Sequence, residues 1–423
     1  MKYYLIGKTL KHSHSLQIHN GLYNFNYGLL SLNNKSFINF MEKKDFKGLN
    51  VTIPYKNQVI PYLYYKDEIV NITSACNTIV NKNNKLYGYN TDYYGFLDLL
   101  NYYKIDIANK VCLILGSGST SKSVYQALIN KKAKKIYVVS RNNGLTYNKL
   151  NLIAKEVEII INTTPFNMYP KSTNKSLVDL KMFNNLKEVI DVIYNPFRTK
   201  LLIDAKDLHI NYHNGLYMLV LQAYYTEKIF KQKGILKKDA IRIYKNLFFD
   251  NTNIVLIGMP SSGKSKIGKM LALKLNKEFI DVDKEIEEKT NITNKDFILT
   301  YGEKEFRKEE RKVISSLKNK KGVIISTGGG SILNKNNVNY LCMNGIIVYL
   351  NRKFKSLSVS DSRPLSNDYT KLKKLYKERL PLYKKYADII IKDNDEDEKI
   401  VNEIIRRCFN GKFWWFKISI KEK

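Results

Sequence analysis

The sequence predicts an α/β chain with parallel sheets, divided into at least two domains. Three observations carry that expectation. Short, continuous apolar runs such as VCLIL (111–115) and NIVLIG (253–258) alternate with helix-period stretches instead of following one another as hairpins. Twice, such a run enters a glycine-rich turn and then a helical pattern, at 110–129 and at 251–275. A length of 423 residues also exceeds what one core accommodates.

Composition narrows the setting. Hydrophobic residues make up 44% of the chain, an ordinary globular content, and no apolar run approaches the ~20 residues of a membrane span. No membrane association is expected. The N-terminal MKYYLIGKTL passes directly into a strand-like pattern, so neither a signal peptide nor a transit segment is expected. The four cysteines (Cys76, Cys112, Cys342, Cys408) lie far apart and form no C-x-x-C, which reads as buried thiols in a reducing compartment, the cytoplasm. The formal charge is +32, but lysines outnumber arginines 61 to 10 and are spread along the whole chain. That distribution argues for a basic surface with non-specific affinity at low salt, and against a specific nucleic-acid site. Where arginine persists in such a chain, a planar bidentate fork is the reason to look for. The expected assembly is a monomer or a homodimer.

In chain order, residues 1–100 alternate short apolar segments with polar turns. GKTLKHSHSLQIHN offers the hydroxyls of Ser13 and Ser15 just before a helix, and GLNVTIPYK is a strand presenting Thr52 and Lys56. SACNTIV and GYNTDYYG place Asn77, Asn90 and Asp92 at strand ends or in turns. Taken singly, each has a plain structural explanation, because Asn and Asp favour turns and a lone Lys is usually solvated. Residues 110–141 are more informative. KVCLILG, GSGSTSKSVYQALI and KKIYVVSR form the first βαβ unit of a Rossmann, dinucleotide-binding fold, with Gly116 and Gly118 in the turn and Ser121 at the third glycine's place. The second strand ends in Ser140–Arg141 where an acid would bind the ribose hydroxyl of NAD, so Arg141 points to the 2′-phosphate of NADP. VEIIINTTPFNM and EVIDVIYNPFRTKLL are two further strands running into loops, and HNGLYMLVLQAYY (213–225) is a helix whose Gln222 interrupts an apolar face.

Residues 1 to about 235 resemble shikimate dehydrogenase over their whole length and in the family's order, through HSHSLQIHN, NVTIPYK, ACNTI, GYNTD, LGSGSTSKS, NTTP, DVIYNPFRT and NGLYMLVLQA. The resemblance implies that Ser13 and Ser15 hold the substrate carboxylate, while Thr52, Asn77 and Gln222 contact its ring hydroxyls. It implies Lys56 and Asp92 as the catalytic pair, with Tyr194 and Gly215 near the substrate and the nicotinamide. Leu16, where the family usually has Pro, and the serines of GSGST are departures. The chemistry is compatible, since reducing a ring ketone takes a hydride from NADPH and a proton for the developing alkoxide, which a Lys–Asp pair can supply.

The second half opens on GMPSSGKS (Gly258–Ser265), which fits G-x-x-x-x-G-K-[ST] between a strand and a helix. In such a loop Gly258, Ser261 and Gly263 bring backbone N–H groups to the phosphates of ATP, Lys264 reaches the outer phosphates, and Ser265 holds Mg²⁺. EFIDVDKEIEE ends a strand in Asp281 and Asp283, so that one carboxylate can serve the magnesium shell and the other accept a hydroxyl proton. An acid-rich helix N-terminus is the plain alternative. YGEKEFRKEE carries Arg307 on a helix, GVIISTGGGSIL breaks into Gly328–Gly330, SDSRPLS contains Arg363, and KERLPLYKKYAD contains Arg379.

These motifs resemble shikimate kinase over about residues 252–392. The resemblance implies a P-loop fold of the nucleoside monophosphate kinase type, and assigns Asp283, Arg307, Arg379 and the turn Gly328, Gly329, Gly330 to shikimate. It gives Asp281 and Ser265 to Mg²⁺ and puts Arg363, with RPLS where RPLL is usual, on a lid over the transferring phosphate. Two arginines can clamp a carboxylate and a third can neutralise phosphoryl charge.

The expected organisation is a substrate-binding domain at 1–100 with a returning helix at 213–235, a Rossmann NADP-binding domain at 101–212, and a charged helical connector at 236–250. A P-loop kinase domain at 251–410 follows, and an aromatic, basic tail at 411–423 has no assigned role. The function expected is bifunctional: NADPH reduces 3-dehydroshikimate to shikimate, and MgATP phosphorylates its 3-hydroxyl. A quinate-using or NAD-preferring reductase half, and a sensor that binds without turnover, are the alternatives.

Overall fold

The computed structural model describes residues 2–10, 14–22, 26–142, 144–231, 234–359, 364–392 and 396–410. The chain divides into two compact units, one of residues 1–166, 177–194 and 204–247, the other of 167–176, 195–203 and 248–423. Among the described residues, no helix is long and apolar enough to cross a membrane.

The first unit holds two six-stranded sheets. Strands β1 (Tyr3–Gly7), β2 (Tyr27–Ser31), β3 (Gly48–Val51), β4 (Tyr65–Lys66), β5 (Thr78–Lys82) and β6 (Lys85–Tyr89) line up as β2-β1-β3-β5-β6-β4. β1 is parallel to β2 and β3, whereas β5 runs antiparallel to β3 and β6. The β5–β6 hairpin turns on Asn83 and Asn84, both left-handed at φ 51° and 62°, a conformation asparagine tolerates better than most residues.

The second sheet contains β7 (Val111–Leu115), β8 (Lys135–Ser140), β9 (Leu145–Thr146), β10 (Ile159–Asn162), β11 (Glu188–Asp191) and β12 (Asn211–Asn214), ordered β12-β11-β10-β7-β8-β9. All neighbours are parallel. Read from the β9 edge this is the 3-2-1-4-5-6 order of a dinucleotide-binding sheet, which places the glycine turn after β7 at its switch point. Every residue of β7 and β10 is buried, which is why both read as unbroken apolar runs.

One expectation about elements changes, and another gains detail. His213 and Asn214 belong to β12, not to the helix that follows, because His213 pairs in register with Ile190 of β11 and its ring meets Glu188 at 3.1 Å. The helix is Leu216–Lys231. The charged connector is a packed helix, Lys237–Asn251, in which Ala240, Ile243 and Tyr244 are buried and the Tyr244 hydroxyl meets that of Tyr103 at 3.0 Å.

In the second unit, β13 (Asn253–Ile257), β14 (Phe279–Asp281), β15 (Ile324–Ser326), β16 (Gly345–Asn351) and β17 (Ile389–Lys392) form an all-parallel sheet ordered β14-β15-β13-β16-β17. Its core gathers Val255, Ile257, Ile325, Ile347, Phe306 and Tyr383, each worth about 1.5–3 kcal/mol or more on full burial. Arg198 is wholly buried in this unit, donating to the carbonyls of Cys342 and Gly345 at 3.3 and 2.7 Å and facing Asp388 at 3.3 Å. Those partners offset the desolvation of its charge.

Candidate active sites

In the first unit, four residues singled out in the sequence converge on one polar cluster. Thr52 follows β3, and its methyl sits so close over β1 that a Cβ on Gly7 would lie 2.6 Å from it. The turn that continues from it, closed by a Tyr55 N–H to Thr52 carbonyl bond, aims Lys56 back at the sheet. Asp92 stands in the first turn of the helix Thr91–Tyr103, whose N-cap is Asn90. Asn90 therefore has a structural task, capping the helix and donating to Ala75 O and Ser123 Oγ, both at 2.9 Å. Lys56 Nζ contacts Asp92 Oδ2 at 2.5 Å, with both side chains about one-tenth exposed. Asn77 Nδ2 donates to the other oxygen of Asp92 at 2.8 Å and stands 3.5 Å from Gln222 Oε1. Asn77 is itself oriented by the Thr91 N–H, which donates to its Oδ1 at 2.7 Å.

The remaining predicted positions are distributed around this cluster. Ser15 is buried at the start of the helix Ser15–Leu22, and the His14 ring lies 5.7 Å from that of Tyr194. Burial raises the Tyr194 hydroxyl above its ordinary pKa. Ser13 lies outside the described residues. At Gly215 a Cβ would meet Val192 O at 1.9 Å, so only glycine fits between β11's exit and the following helix. Gly116 has φ +102°, and a Cβ there would strike Thr164. Gly118 is the N-cap of the helix Ser119–Asn130, without a side-chain cap and with open space where a Cβ would point. A bare helix N-terminus of this kind suits a pyrophosphate. Ser140 ends β8, and Arg141, exposed just beyond it, is free of the sheet.

In the second unit a cavity of about 930 Å³ is lined by Ser261, Gly263, Lys264, Ser265, Asp283, Arg307, Gly328, Gly329, Gly330 and Arg379. Gly258, at φ +153°, and Gly263, at φ +83°, give the loop its curvature. Lys264 Nζ donates to the carbonyls of Gly258 and Met259 at 3.1 and 2.8 Å. Ser265 Oγ donates to Asp281 Oδ2 at 2.6 Å, a pair of oxygen donors suited to a hard divalent cation. The other oxygen of Asp281 accepts from the N–H of Asp283 at 3.1 Å. Burial, then the neighbouring carboxylates of Asp281 and Glu310, push the Asp283 carboxyl up to about 6, against the opposing pull of Lys264 and Arg307.

The three glycines are closely approached by their neighbours. A Cβ on Gly328 would fall 2.6 Å from Asp283 Oδ1, on Gly329 2.8 Å from Pro260, and on Gly330 2.2 Å from the Arg307 guanidinium. Arg307 lies on the helix Asn294–Ser316, re-aimed by a break at Gly302, and pairs with Glu303 at 3.0 Å and Glu310 at 3.1 Å. Arg379 is only 3% exposed, and its Nε has no hydrogen-bond partner among the described residues. Arg363 lies outside the described residues, as does the tail 411–423.

Sequence reasoning passed over Glu310, which also accepts from Ser331 Oγ at 2.7 Å, and Tyr383, whose hydroxyl donates to Gly329 O at 2.5 Å. Helical spacing was the available signal: Glu310 follows Arg307 by three residues and Tyr383 follows Arg379 by four.

Both halves of the chain resemble known proteins. The NADP(+)-dependent shikimate dehydrogenase of Clostridium perfringens is 38% identical over 271 residues, which are 57% of this chain and 97% of that protein. This chain belongs to the shikimate dehydrogenase family. The shikimate dehydrogenase substrate binding domain is matched by residues 5–79, and shikimate kinase by residues 260–409. The chain is also similar to the shikimate dehydrogenase of Clostridium beijerinckii, at 38% identity over 55% of this chain and 93% of that one. Among solved structures, a chorismate mutase/shikimate 5-dehydrogenase fusion protein from Clostridium acetobutylicum aligns at a TM-score of 0.54 and 36% identity, over 58% of this chain and 96% of that chain. The shikimate dehydrogenase half is thus joined to a shikimate kinase domain, and the chain is a bifunctional enzyme of the shikimate pathway using NADP, ATP and Mg²⁺.

Proposed function

We propose that Lys56 and Asp92 are the proton-transfer pair of the reductase, and that Asp283, Lys264 and Arg363 serve phosphoryl transfer in the kinase. The observation that carries the first assignment is the contact of 2.5 Å between Lys56 and Asp92, with Asn77 holding the other carboxylate oxygen at 2.8 Å. When bound, NADPH supplies the hydride that reduces the C3 carbonyl, and Mg²⁺ offsets the charge of the ATP phosphates. Lys56 donates its proton to the carbonyl oxygen as that oxygen takes the π-electron pair, and recovers it from solvent. Asp92 keeps the ammonium aimed. Ser13 and Ser15 hold the substrate carboxylate, and Thr52, Asn77, Tyr194 and Gln222 orient its hydroxyls. Gly116 and Gly118 admit the pyrophosphate, Ser140 and Arg141 take the 2′-phosphate, and Gly215 leaves room for the nicotinamide.

In the kinase, Asp283 accepts the proton of the 3-hydroxyl as its oxygen attacks the γ-phosphorus and the bond to ADP breaks. A carboxyl raised to about 6 suits that task better than an ordinary aspartate. Arg307 and Arg379 hold the shikimate carboxylate; the unpaired, buried Nε of Arg379 supports an anionic occupant. Lys264 turns from its loop carbonyls to the phosphates, and Ser265 and Asp281 hold Mg²⁺. The domain limits given above, a cytoplasmic setting and a monomeric or homodimeric state complete the reading; the four cysteines, all free and buried, support a reducing compartment.

Incubation with 3-dehydroshikimate, NADPH and MgATP tests the whole assignment, with shikimate 3-phosphate as the expected product. Replacing NADPH by NADH, and shikimate by quinate in the reverse direction, tests the reductase's preference, for which Arg141 predicts NADPH.

A further inference from the structure

A buried histidine–glutamate pair that the mechanism does not use lies close to the reductase site. His19, on the helix Ser15–Leu22, and Glu227, on the helix Leu216–Lys231, are both 0% exposed, and Nδ1 of the one meets Oε1 of the other at 2.5 Å. Their remaining polar atoms, His19 Nε2 and Glu227 Oε2, have no hydrogen-bond partner among the described residues. Two such groups are costly to bury, and the contact between them is what compensates. Something other than packing has to explain their burial.

Their positions along the two helices suggest what it is. Ser15 stands four residues before His19, on the same helix face one turn nearer the site, a rise of about 6 Å. Gln222 stands four residues before Thr226 and five before Glu227. Each helix therefore presents a substrate-facing residue and, one turn deeper, a tie to the other helix. The tie continues sideways. The Tyr27 ring stacks on His19 at 4.2 Å and 18°, and the Tyr27 hydroxyl donates to Asn50 Oδ1 at 2.8 Å. Asn50 Nδ2 donates to Thr226 Oγ1 at 3.1 Å, and Thr226 meets Thr78 at 2.9 Å and Thr91, the neighbour of Asp92, at 3.2 Å.

We propose that His19 and Glu227 are positioning residues of the reductase, fixing the separation of the helices that carry Ser15 and Gln222 and so setting the affinity for shikimate. This rests on the reading of Ser15 and Gln222 as substrate-binding residues. It assigns no proton transfer to the pair.

The test uses the full-length protein and the shikimate oxidation assay. A His19→Leu/Glu227→Leu double variant removes both polar partners at nearly constant volume, which protects the fold better than either single change. The expected result is a KM for shikimate about tenfold higher, with kcat within about threefold and the KM for NADP⁺ unchanged. His19→Asn keeps a donor at the Nδ1 position and is expected to stay within about twofold of the parent KM. Should the double variant not fold, Glu227→Gln carries the test: it keeps one oxygen for His19 but replaces the carboxyl group by an amide, and a KM for shikimate about threefold higher is expected. An unchanged KM for shikimate in a folded variant overturns the proposal, as does a parallel rise in the KM for NADP⁺ or a collapse of kcat. Ser15→Ala and Gln222→Ala are measured alongside. If they leave the KM for shikimate unchanged, the underlying reading fails; if they raise it while the pair variants do not, only the positioning role fails.

Discussion

Asp283 shows how one residue's surroundings set a measurable property. Its folded pKa is raised, because burial and the Asp281 and Glu310 carboxylates disfavour its ionised form. A base must be deprotonated to act, so kinase kcat/KM is expected to fall about tenfold per unit as pH drops below about 6 and to level off above it. A profile flat from pH 5 to 8 would remove Asp283 from the role, and Asp283→Asn is expected to lose about 10²-fold or more in kcat. Tyr383 is subtler. Its hydroxyl holds Gly329 O and also meets the Arg379 side chain, and Tyr383→Phe deletes both contacts. The expected cost is about 1 kcal/mol, read as a five- to tenfold rise in the KM for shikimate with the KM for ATP unmoved. Lys264, Asp283, Arg307 and Arg379, which line one cavity, were singled out in the sequence by the phosphate loop and by the resemblance to shikimate kinase, and Asp281 by its place two residues before Asp283. Tyr383, Glu310, His19 and Glu227 were not, since each contacts other parts of the protein and looks from the sequence like an ordinary core or surface residue.

At the scale of elements, the glycine turns separate rigid from yielding contacts. A Cβ at Gly215 would lie 1.9 Å from a backbone oxygen, which cannot move without displacing β11's exit. Gly215→Ala is therefore expected to destabilise the first unit by ~3 kcal/mol or more and to lose reductase activity, checked by thermal unfolding and assay. At Gly330 the obstacle is the end of the Arg307 side chain, 2.2 Å away, which can swing aside. Gly330→Ala should leave the unfolding midpoint within about 2 °C while weakening shikimate binding in the kinase, because the guanidinium is displaced from its carboxylate. The strands β7, β10 and β13 were legible as buried apolar runs between turn signals. The boundary at β12 was not, because HNGLYMLVLQ is apolar enough to read as one helix, and only the register with β11 assigns His213 and Asn214 to the sheet. The segment 237–251 is the helix the sequence predicts, but its packing was not legible: its lysines and aspartates dominate the pattern, while the burial of Tyr244 and Ile243 depends on distant partners.

At the scale of the whole molecule, two sites in two compact units handle the same ring acid in succession, the first releasing what the second consumes. If the residue roles proposed here hold, the activities are separable by single substitutions. Lys56→Ala is expected to abolish reduction of 3-dehydroshikimate while leaving phosphorylation of added shikimate at the parent rate. Lys264→Ala should do the reverse, accumulating shikimate from 3-dehydroshikimate and NADPH even with MgATP present. The decisive case is an equimolar mixture of the two variants. Each retains the site the other lacks, and shikimate is a small, soluble intermediate, so the mixture is expected to form shikimate 3-phosphate from 3-dehydroshikimate after a lag while free shikimate builds up. The length of that lag should shorten in proportion to total protein, because both steps then depend on enzyme concentration. A mixture that consumes NADPH but yields no phosphorylated product, with the Lys56→Ala protein active on added shikimate, would show that the acid released by the first site is not the one the second accepts. The quinate-type alternative for the reductase would gain its first support from that outcome.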